Sequence, residues 1–402
     1  MVSTKALRIA PNELHISDVH LYKTIYSQTN PFPKFSSFYS VFNVPHSLFA
    51  ETEPALHRER RKLLNPLFSR AGVNKLEPVI LEKIQEMGAK IRRIVGGAEK
   101  GSSAAGRVID VSDMVRCVTV DVISEFAFGQ TAGLLGEREH EFKAGFLEAF
   151  DIAAVVPYQI HYSAVQRWLG RVIPLEWVGI MDPKVKEMAR LLKAKQLQPA
   201  ESMDILVAGS DTTAYTLATG LFHILRRPEL KERLVREVRG ALPNGEDLPS
   251  FTQLEKSEYL WACVKESLRV AMPVPGMLPR VVPQRPQPFV VDGQVIPPGT
   301  VIGMSAYTMH YSTELWGKDA KVFNPDRWLG PDGKHLDSYL CTFGKGSRQC
   351  IGINVVHTEA TMVMAYLFWK FDMQLKTTEF RHRDVFTQQV MKPGVLVEFS
   401  PL

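Results

Sequence analysis

A cysteine near the carboxyl end of the chain has neighbours that favour a thiolate. Cys350 lies in the segment FGKGSRQCIG (residues 343–352), directly before an apolar stretch that predicts a helix. Backbone N–H groups at a helix start stabilise negative charge, which favours deprotonation of a thiol there. Arg348 adds a cation two residues away, and Gly346 and Gly352 let the backbone approach a flat, bulky group closely. A lone cysteine is usually just a small buried residue, and this spacing argues against that interpretation.

A predicted helix over residues 202–225 carries a second group of candidate residues. It is apolar nearly all round, which predicts burial, yet a narrow stripe of small or polar residues includes Ala208 and Asp211. Thr212 can hydrogen-bond to the carbonyl of Ala208. Because a buried carboxylate beside a hydroxyl is suited to proton transfer, Asp211 and Thr212 are candidate catalytic residues. A threonine-rich surface helix, the alternative, fits poorly with the apolar neighbours.

Two pairs of charged residues stand one helical turn apart. Glu266 and Arg269 share a face of a predicted helix, and His57 and Arg61 share a face of a basic helix. Taken alone, the first is most often a solvated ion pair worth less than about 1 kcal/mol, and the second a solvated basic face.

Together these segments resemble the cytochrome P450 family of haem-thiolate monooxygenases. Residues 343–352 are similar to the family's Phe-x-x-Gly-x-Arg-x-Cys-x-Gly signature at every fixed position. Residues 208–213 (AGSDTT) are similar to its oxygen-activation motif, and residues 323–328 (FNPDRW) resemble the segment after its Glu-x-x-Arg helix. PNELH (residues 11–15) and HRERR (residues 57–61) are closest to fungal members of secondary metabolism.

The resemblance implies a haem b cofactor and a role for each candidate residue. Cys350 would be the axial ligand of the haem iron, with Phe343 packed beside the sulfur. Asp211 and Thr212 would deliver protons during oxygen activation. The other implied cofactor-binding residues are Gly346, Gly352, His57, Arg61, Arg280 and Arg348, the last four through the haem propionates. Glu266, Arg269 and Arg327 would form a buried structural network.

The implied reaction inserts one oxygen atom from O2 into a lipophilic small molecule, such as a fungal terpenoid or polyketide. The chain lacks a nicotinamide or flavin fingerprint, so electrons would come from NADPH through a separate cytochrome P450 reductase. A haem-thiolate isomerase or dehydratase, or a haem-binding gas sensor, would need no proton relay, and the Asp-Thr pair argues against these. A non-catalytic or poorly coupled truncated paralogue stays open.

The elements that must position these residues are mostly helical. The 402 residues are 45% hydrophobic and 23% charged, which excludes wholesale disorder, and a net charge of +5 is too diffuse to indicate a nucleic-acid partner. Four cysteines without zinc spacing indicate neither a disulfide framework nor a structural metal. We expect one mainly α domain over residues 1–402 with the cytochrome P450 fold, a β-containing part at about 1–50 and strands at about 371–399.

Two segments depart from the family pattern. The family's eukaryotic members carry an N-terminal anchor that holds them on the endoplasmic reticulum membrane, and no such apolar run is found here. The resemblance therefore implies attachment to that membrane surface, with the cytoplasm as the alternative. Only residues 184–201 lie between MDP (residues 181–183) and the Asp-Thr helix, where the family places two helices and the first half of its central helix, and Pro199 is expected to break this interval. This predicts an incomplete roof over the substrate and a pocket open to water, which favours uncoupled oxygen reduction.

Overall fold

Helices make up most of the structure, as the sequence pattern predicts. The computed structural model describes residues 4–42, 47–96, 108–153, 155, 199–242 and 248–402. Its helices are α1 (Tyr22–Ile25), α2 (Ser36–Tyr39), α3 (Pro54–Phe68), α4 (Arg70–Gly96), α5 (Val111–Phe128), α6 (Leu134–Glu137), α7 (Gly145–Ala153), α8 (Pro199–Leu225), α9 (Pro228–Ala241), α10 (Phe251–Leu254), α11 (Glu258–Ala271), α12 (Ala306–His310), α13 (Thr313–Trp316), α14 (Gly333–Asp337) and α15 (Ile353–Lys370).

The strands form small sheets beside the helices. They are β1 (Ala6–Ala10), β2 (Glu13–Ile16), β3 (Val108–Asp110), β4 (Arg280–Val281), β5 (Phe289–Val291), β6 (Gln294–Ile296), β7 (Val301–Gly303), β8 (Phe371–Leu375), β9 (His382–Val385), β10 (Thr387–Val390) and β11 (Leu396–Pro401). One sheet has the order β1-β2-β7-β4, with β2 and β7 parallel, and another has the order β3-β11-β8. β5–β6 and β9–β10 are antiparallel hairpins. Strands are therefore present at both ends of the chain, as predicted.

The hydrophobic core surrounds α8. This helix packs against α5 along much of its length and also contacts α11 and α15. Leu217 and Leu221 on α8 are fully buried, and each buried leucine side chain stabilises the fold by about 1.5–3 kcal/mol. Enclosure by several helices explains why α8 is apolar nearly all round, and it holds Asp211 and Thr212 on a rigid support.

The first helix of the chain is short. Asp18 caps the 3₁₀ turn before it by accepting from the N–H of His20, and α1 ends at Ile25. The buried Tyr26 side chain donates to the Leu278 carbonyl at 3.0 Å, and this long-range contact redirects the chain.

α8 begins at Pro199, three residues before the start at residue 202 that the sequence predicts. At the first helical position the missing N–H costs no hydrogen bond, and the fixed φ of proline suits the helix. Residues 184–198, on which the prediction of an incomplete roof also depends, lie outside the described residues.

Candidate cofactor site

The loop before α15 presents the Cys350 thiol to an internal recess. Cys350 is exposed, yet burial among surrounding protein atoms raises the pKa of its thiol above the ordinary value, so the exposed surface faces a recess inside the protein. The N–H of Gly352 and the charge of Arg61 lower this pKa by less than burial raises it. The Cys350 N–H donates to the Phe343 carbonyl at 2.8 Å, and this bond fixes the loop. A coordinated metal ion would deprotonate such a thiol outright.

The structure gives a different reason for the glycine at position 346 than the one inferred from the sequence. Its φ is +73°, and an added Cβ would lie 2.3 Å from the Tyr26 carbonyl oxygen and 2.4 Å from that of Ser27. The glycine is required by close approach of the protein's own backbone. At Gly352, in contrast, a Cβ would lie at an ordinary contact distance of 3.7 Å from the Cys350 sulfur.

The four predicted propionate-binding residues converge beside this loop. Burial lowers the pKa of His57 to about 3, assisted by the positive charges of Arg348, Lys34 and Arg61. Burial also lowers the pKa of Arg348 to about 10, and the next largest cause is the charge of Arg280. These mutual effects require the cationic side chains to lie close together, although they come from distant parts of the chain.

The arginines of this cluster donate to neutral acceptors. Arg61 donates to the carbonyl of Gln349, and Arg348 donates to two backbone carbonyls just before α3, at 2.7 and 3.1 Å. Arg280 donates to the Tyr39 hydroxyl at 2.7 Å, while its buried Nε has no partner among the described residues. Each of these hydrogen bonds ends on a backbone carbonyl or on the Tyr39 hydroxyl, and none of them ends on a carboxylate. The donor set therefore fits a ligand that carries carboxylates.

Asp211 and Thr212 bind different partners. The Thr212 hydroxyl donates to the Ala208 carbonyl at 2.6 Å, which is the bond that the sequence predicts. The Asp211 carboxylate accepts from Arg116 Nε at 2.8 Å, and Arg116 also donates to Asp151 at 2.7 and 3.2 Å. Burial raises the pKa of Asp211, and the Arg116 charge lowers it by a smaller amount. Sequence reasoning missed Arg116, although a cation within the apolar residues of α5 is an indication of a buried partner.

A cavity of about 250 Å³ with several charged side chains in its lining includes Asp211. Arg116, Asp151 and Arg383 also line it, but its lining among the described residues contains neither Cys350 nor Thr212. The cavity is large enough for several waters and has polar groups to bind them. It offers Asp211 a contact with water that is separate from the recess at the thiol.

Glu266 is the centre of a fully buried network. Its carboxylate accepts from Arg269 at 2.8 and 2.9 Å and from Arg327 Nε at 3.1 Å, which brings together the three residues predicted to be structural. The backbone N–H of Asn324 and the indole N–H of Trp328 add bonds of 2.7 and 2.9 Å. The indole of Trp328 therefore supplies a hydrogen bond that a purely apolar ring could not make. The network ties α11 to the segment that follows α13.

The family model described as cytochrome P450 matches residues 7–172 and 185–398 of this chain. The chain belongs to the cytochrome P450 family. This confirms the predicted family, and with it the predicted oxidoreductase class.

Other cytochromes P450 are similar over nearly the whole chain. Monooxygenase macH of Penicillium terrestre is 29% identical over 440 residues, which cover 99% of this chain and 83% of that protein. Monooxygenase aneF of Aspergillus aculeatus is 28% identical, with 92% and 80% covered. A crystal structure of the cytochrome P450DA heme domain superposes with a TM-score of 0.77 at 18% identity, covering 99% of this chain and 90% of that one. The predicted fold is confirmed.

A cytochrome P450 requires haem, and the described residues fit it. The recess holds a free thiol for the iron, and the arginines beside it have donors and charge for two propionates. Among the described residues, none of the helices has the length and apolar character needed to cross a bilayer.

Proposed function

We propose that this cytochrome P450 is a monooxygenase that inserts one atom of O2 into a lipophilic product of fungal secondary metabolism, such as a terpenoid or polyketide. The observation that carries the proposal is the Cys350 thiol, which faces an internal recess beside a group of cations. The monooxygenase names of fungal relatives support the reaction class.

Each candidate residue has a defined task in this proposal. When bound, a haem-thiolate group supplies the reductive activation of dioxygen. Cys350 Sγ binds the iron, and the neighbouring arginines hold the propionates. The Thr212 hydroxyl donates its proton to the Ala208 carbonyl, and it would turn from this carbonyl to donate the proton during oxygen activation. Asp211 is proposed to pass protons towards Thr212, since burial raises the pKa of its carboxyl and the cavity that it lines is large enough to hold water.

The lipophilic substrate is proposed from a cluster of aromatic rings. Phe38, Phe42 and Phe49 precede α3, and each lies 4.8–6.1 Å from the ring of Phe386. Phe386 joins β9 to β10 with φ of +84°, a conformation that is strained for a bulky residue and is found mainly at functional sites. The cluster adjoins the cation cluster through Tyr39, whose ring lies 5.5 Å from that of Phe49. It would form an apolar wall of the substrate pocket.

The electron donor is proposed to be an NADPH-dependent reductase with an acidic docking face. α3 turns His57 and Arg61 towards the cation cluster, while Arg58 and Lys62 are exposed. Leu63, which is 77% exposed, adds an apolar contact on the same helix. Because α3 has one side towards the cation cluster and exposed basic residues on another, its exposed face supports docking of an acidic partner.

The proposed location is the surface of the endoplasmic reticulum membrane. Leu7 and Ile9 on the edge strand β1 are exposed, as are Val290 and Val295 on the β5–β6 hairpin. The Lys5 N–H donates to a carboxylate in the turn of that hairpin, which brings the two apolar groups near each other. Such a patch supports contact with lipid.

The first experiment is the absorption spectrum of the reduced, carbon-monoxide-bound protein. A thiolate-ligated haem absorbs far to the red of a histidine-ligated one, and Cys350→Ala should abolish this band. Thr212→Ala should then keep the band but release more peroxide and less product when supplied with NADPH, reductase and candidate terpenoids or polyketides. Equal peroxide from both proteins without product would favour a non-catalytic paralogue, and product without NADPH would favour an isomerase or dehydratase.

A further inference from the structure

A lysine outside all the motifs lies within the cation cluster. Lys34 forms an isolated antiparallel bridge with Arg280, so their side chains leave the backbone side by side. The Lys34 Nζ donates to the Phe49 carbonyl and lies 4.3 Å from the centre of the Tyr39 ring. The hydroxyl of this same tyrosine accepts from Arg280. Backbone pairing and a shared aromatic neighbour therefore hold the two cations together.

Neighbouring cations affect the pKa of Lys34 more strongly than the neighbouring carboxylates do. Burial lowers the pKa of Lys34 well below its ordinary value, and the next causes are the positive charges of Arg280 and Arg348. Asp204 and Glu51 raise it by smaller amounts. Asp204 accepts a hydrogen bond of 3.1 Å from a backbone N–H, so part of its capacity is used elsewhere. Buried like charges are stable only when an anion compensates them.

Lys34 also has donors available for such an anion. An ammonium group has three N–H donors, and one of them binds the Phe49 carbonyl. Lys34 is half-buried, yet burial is the largest cause of its lowered pKa. Its accessible surface therefore faces a recess in the protein, as the accessible surface of Cys350 does. The site therefore combines an available cation, aromatic walls and two neighbouring arginines.

We propose that Lys34 binds a haem propionate as a fourth cation beside Arg61, Arg280 and Arg348, with His57 as a neutral neighbour. This inference rests on the proposed function only in requiring haem as the cofactor. A carboxylate on the substrate has the same chemistry, but the bridge to Arg280 and the proximity to Arg348 place Lys34 with residues assigned to the cofactor. A carboxylate that accepts charged hydrogen bonds from these groups would balance the positive charge.

The test is the rate at which the loaded protein transfers haem to an excess of apomyoglobin. Lys34→Met should lose haem about ten- to a hundredfold faster than wild type, because one charged hydrogen bond is removed. Lys34→Arg keeps the charge and should stay within a few fold of wild type. Lys256→Met removes an exposed lysine outside the cluster and should match wild type. Equal rates for Lys34→Met and wild type would overturn the proposal.

A second measurement identifies the carboxylate. Wild type and Lys34→Met are reconstituted with protohaem or its dimethyl ester, in which the propionates carry no charge. The proposal requires Lys34→Met to accelerate loss of protohaem but not of the ester. If Lys34→Met accelerated the loss of both haems equally, the proposal would be overturned. It would also be overturned if Lys34→Met left haem loss unchanged but weakened binding of a carboxylate probe such as lauric acid. If wild type held thiolate-ligated haem but oxidised no substrate, this would contradict the proposed monooxygenase function and leave the proposal for Lys34 standing.

Discussion

Replacing Glu359 by glutamine should stabilise this cytochrome P450 at alkaline pH. Glu359 lies within α15 and is 2% exposed, and its Oε1 atom has no hydrogen-bond partner among the described residues. Burial raises the pKa of this carboxyl to about 8, from an ordinary value of 4.5. Glutamine has nearly the same shape and does not ionise, so Glu359→Gln removes the titration while keeping the packing.

The magnitude follows from the linkage between protonation and folding. The folded protein holds the carboxyl proton up to about pH 8, whereas the unfolded chain releases it near pH 4.5. The protonated carboxyl therefore contributes its full stability below about pH 4.5, and that contribution is lost progressively as the pH rises to 8. Because one pKa unit corresponds to about 1.4 kcal/mol, wild type should lose up to about 5 kcal/mol relative to Glu359→Gln over this interval.

Urea unfolding between pH 5 and 8.5 measures this difference. The free energies of unfolding of wild type and Glu359→Gln should be similar near pH 5 and should separate steadily towards pH 8. Glu232→Gln, at an exposed position on α9, serves as the matched control and should parallel wild type throughout. A constant difference between Glu359→Gln and wild type at every pH would refute the reasoning, because it would mean that the carboxyl titrates alike in both states.

Three further substitutions test the buried interactions of the site. Arg116→Met leaves the Asp211 and Asp151 carboxylates without their cation, so urea unfolding should show a free energy of unfolding lower by about 3–5 kcal/mol. Adding Asp211→Asn to this variant should recover part of the loss. Glu266→Gln leaves the buried Arg269 without a carboxylate, while Arg327 keeps Asp319. The change should cost a similar amount, about 3–5 kcal/mol, seen as early loss of haem absorbance on heating. Gly346→Ala forces a Cβ into backbone carbonyls at positive φ and should sharply reduce the yield of haem-loaded protein. Denaturation midpoints or yields equal to wild type would contradict the reason given for each.

The residues that sequence alone could predict are those whose chemistry is contiguous. The loop around Cys350 brings its cation and glycines within ten residues, so its spacing is readable without a structure. The Thr212 hydroxyl bonds one helical turn back, to Ala208, and such a contact follows from helix geometry. Glu266 and Arg269 are likewise one turn apart. Their links to the segment around Arg327 came from the resemblance, because no local period predicts a contact across about sixty residues.

Contacts between distant segments account for what the sequence could not predict. Asp211 is beside Thr212 in the chain, yet its carboxylate binds Arg116, which lies 95 residues earlier. The apolar neighbours of Arg116 on α5 predict that it needs a buried anion but do not say which acid supplies it. Lys34 has no such signal, since its neighbours in the chain are ordinary and its partner Arg280 comes from β4. In both cases burial makes the charge matter, and burial is a property of the packed helices and sheets rather than of any local segment.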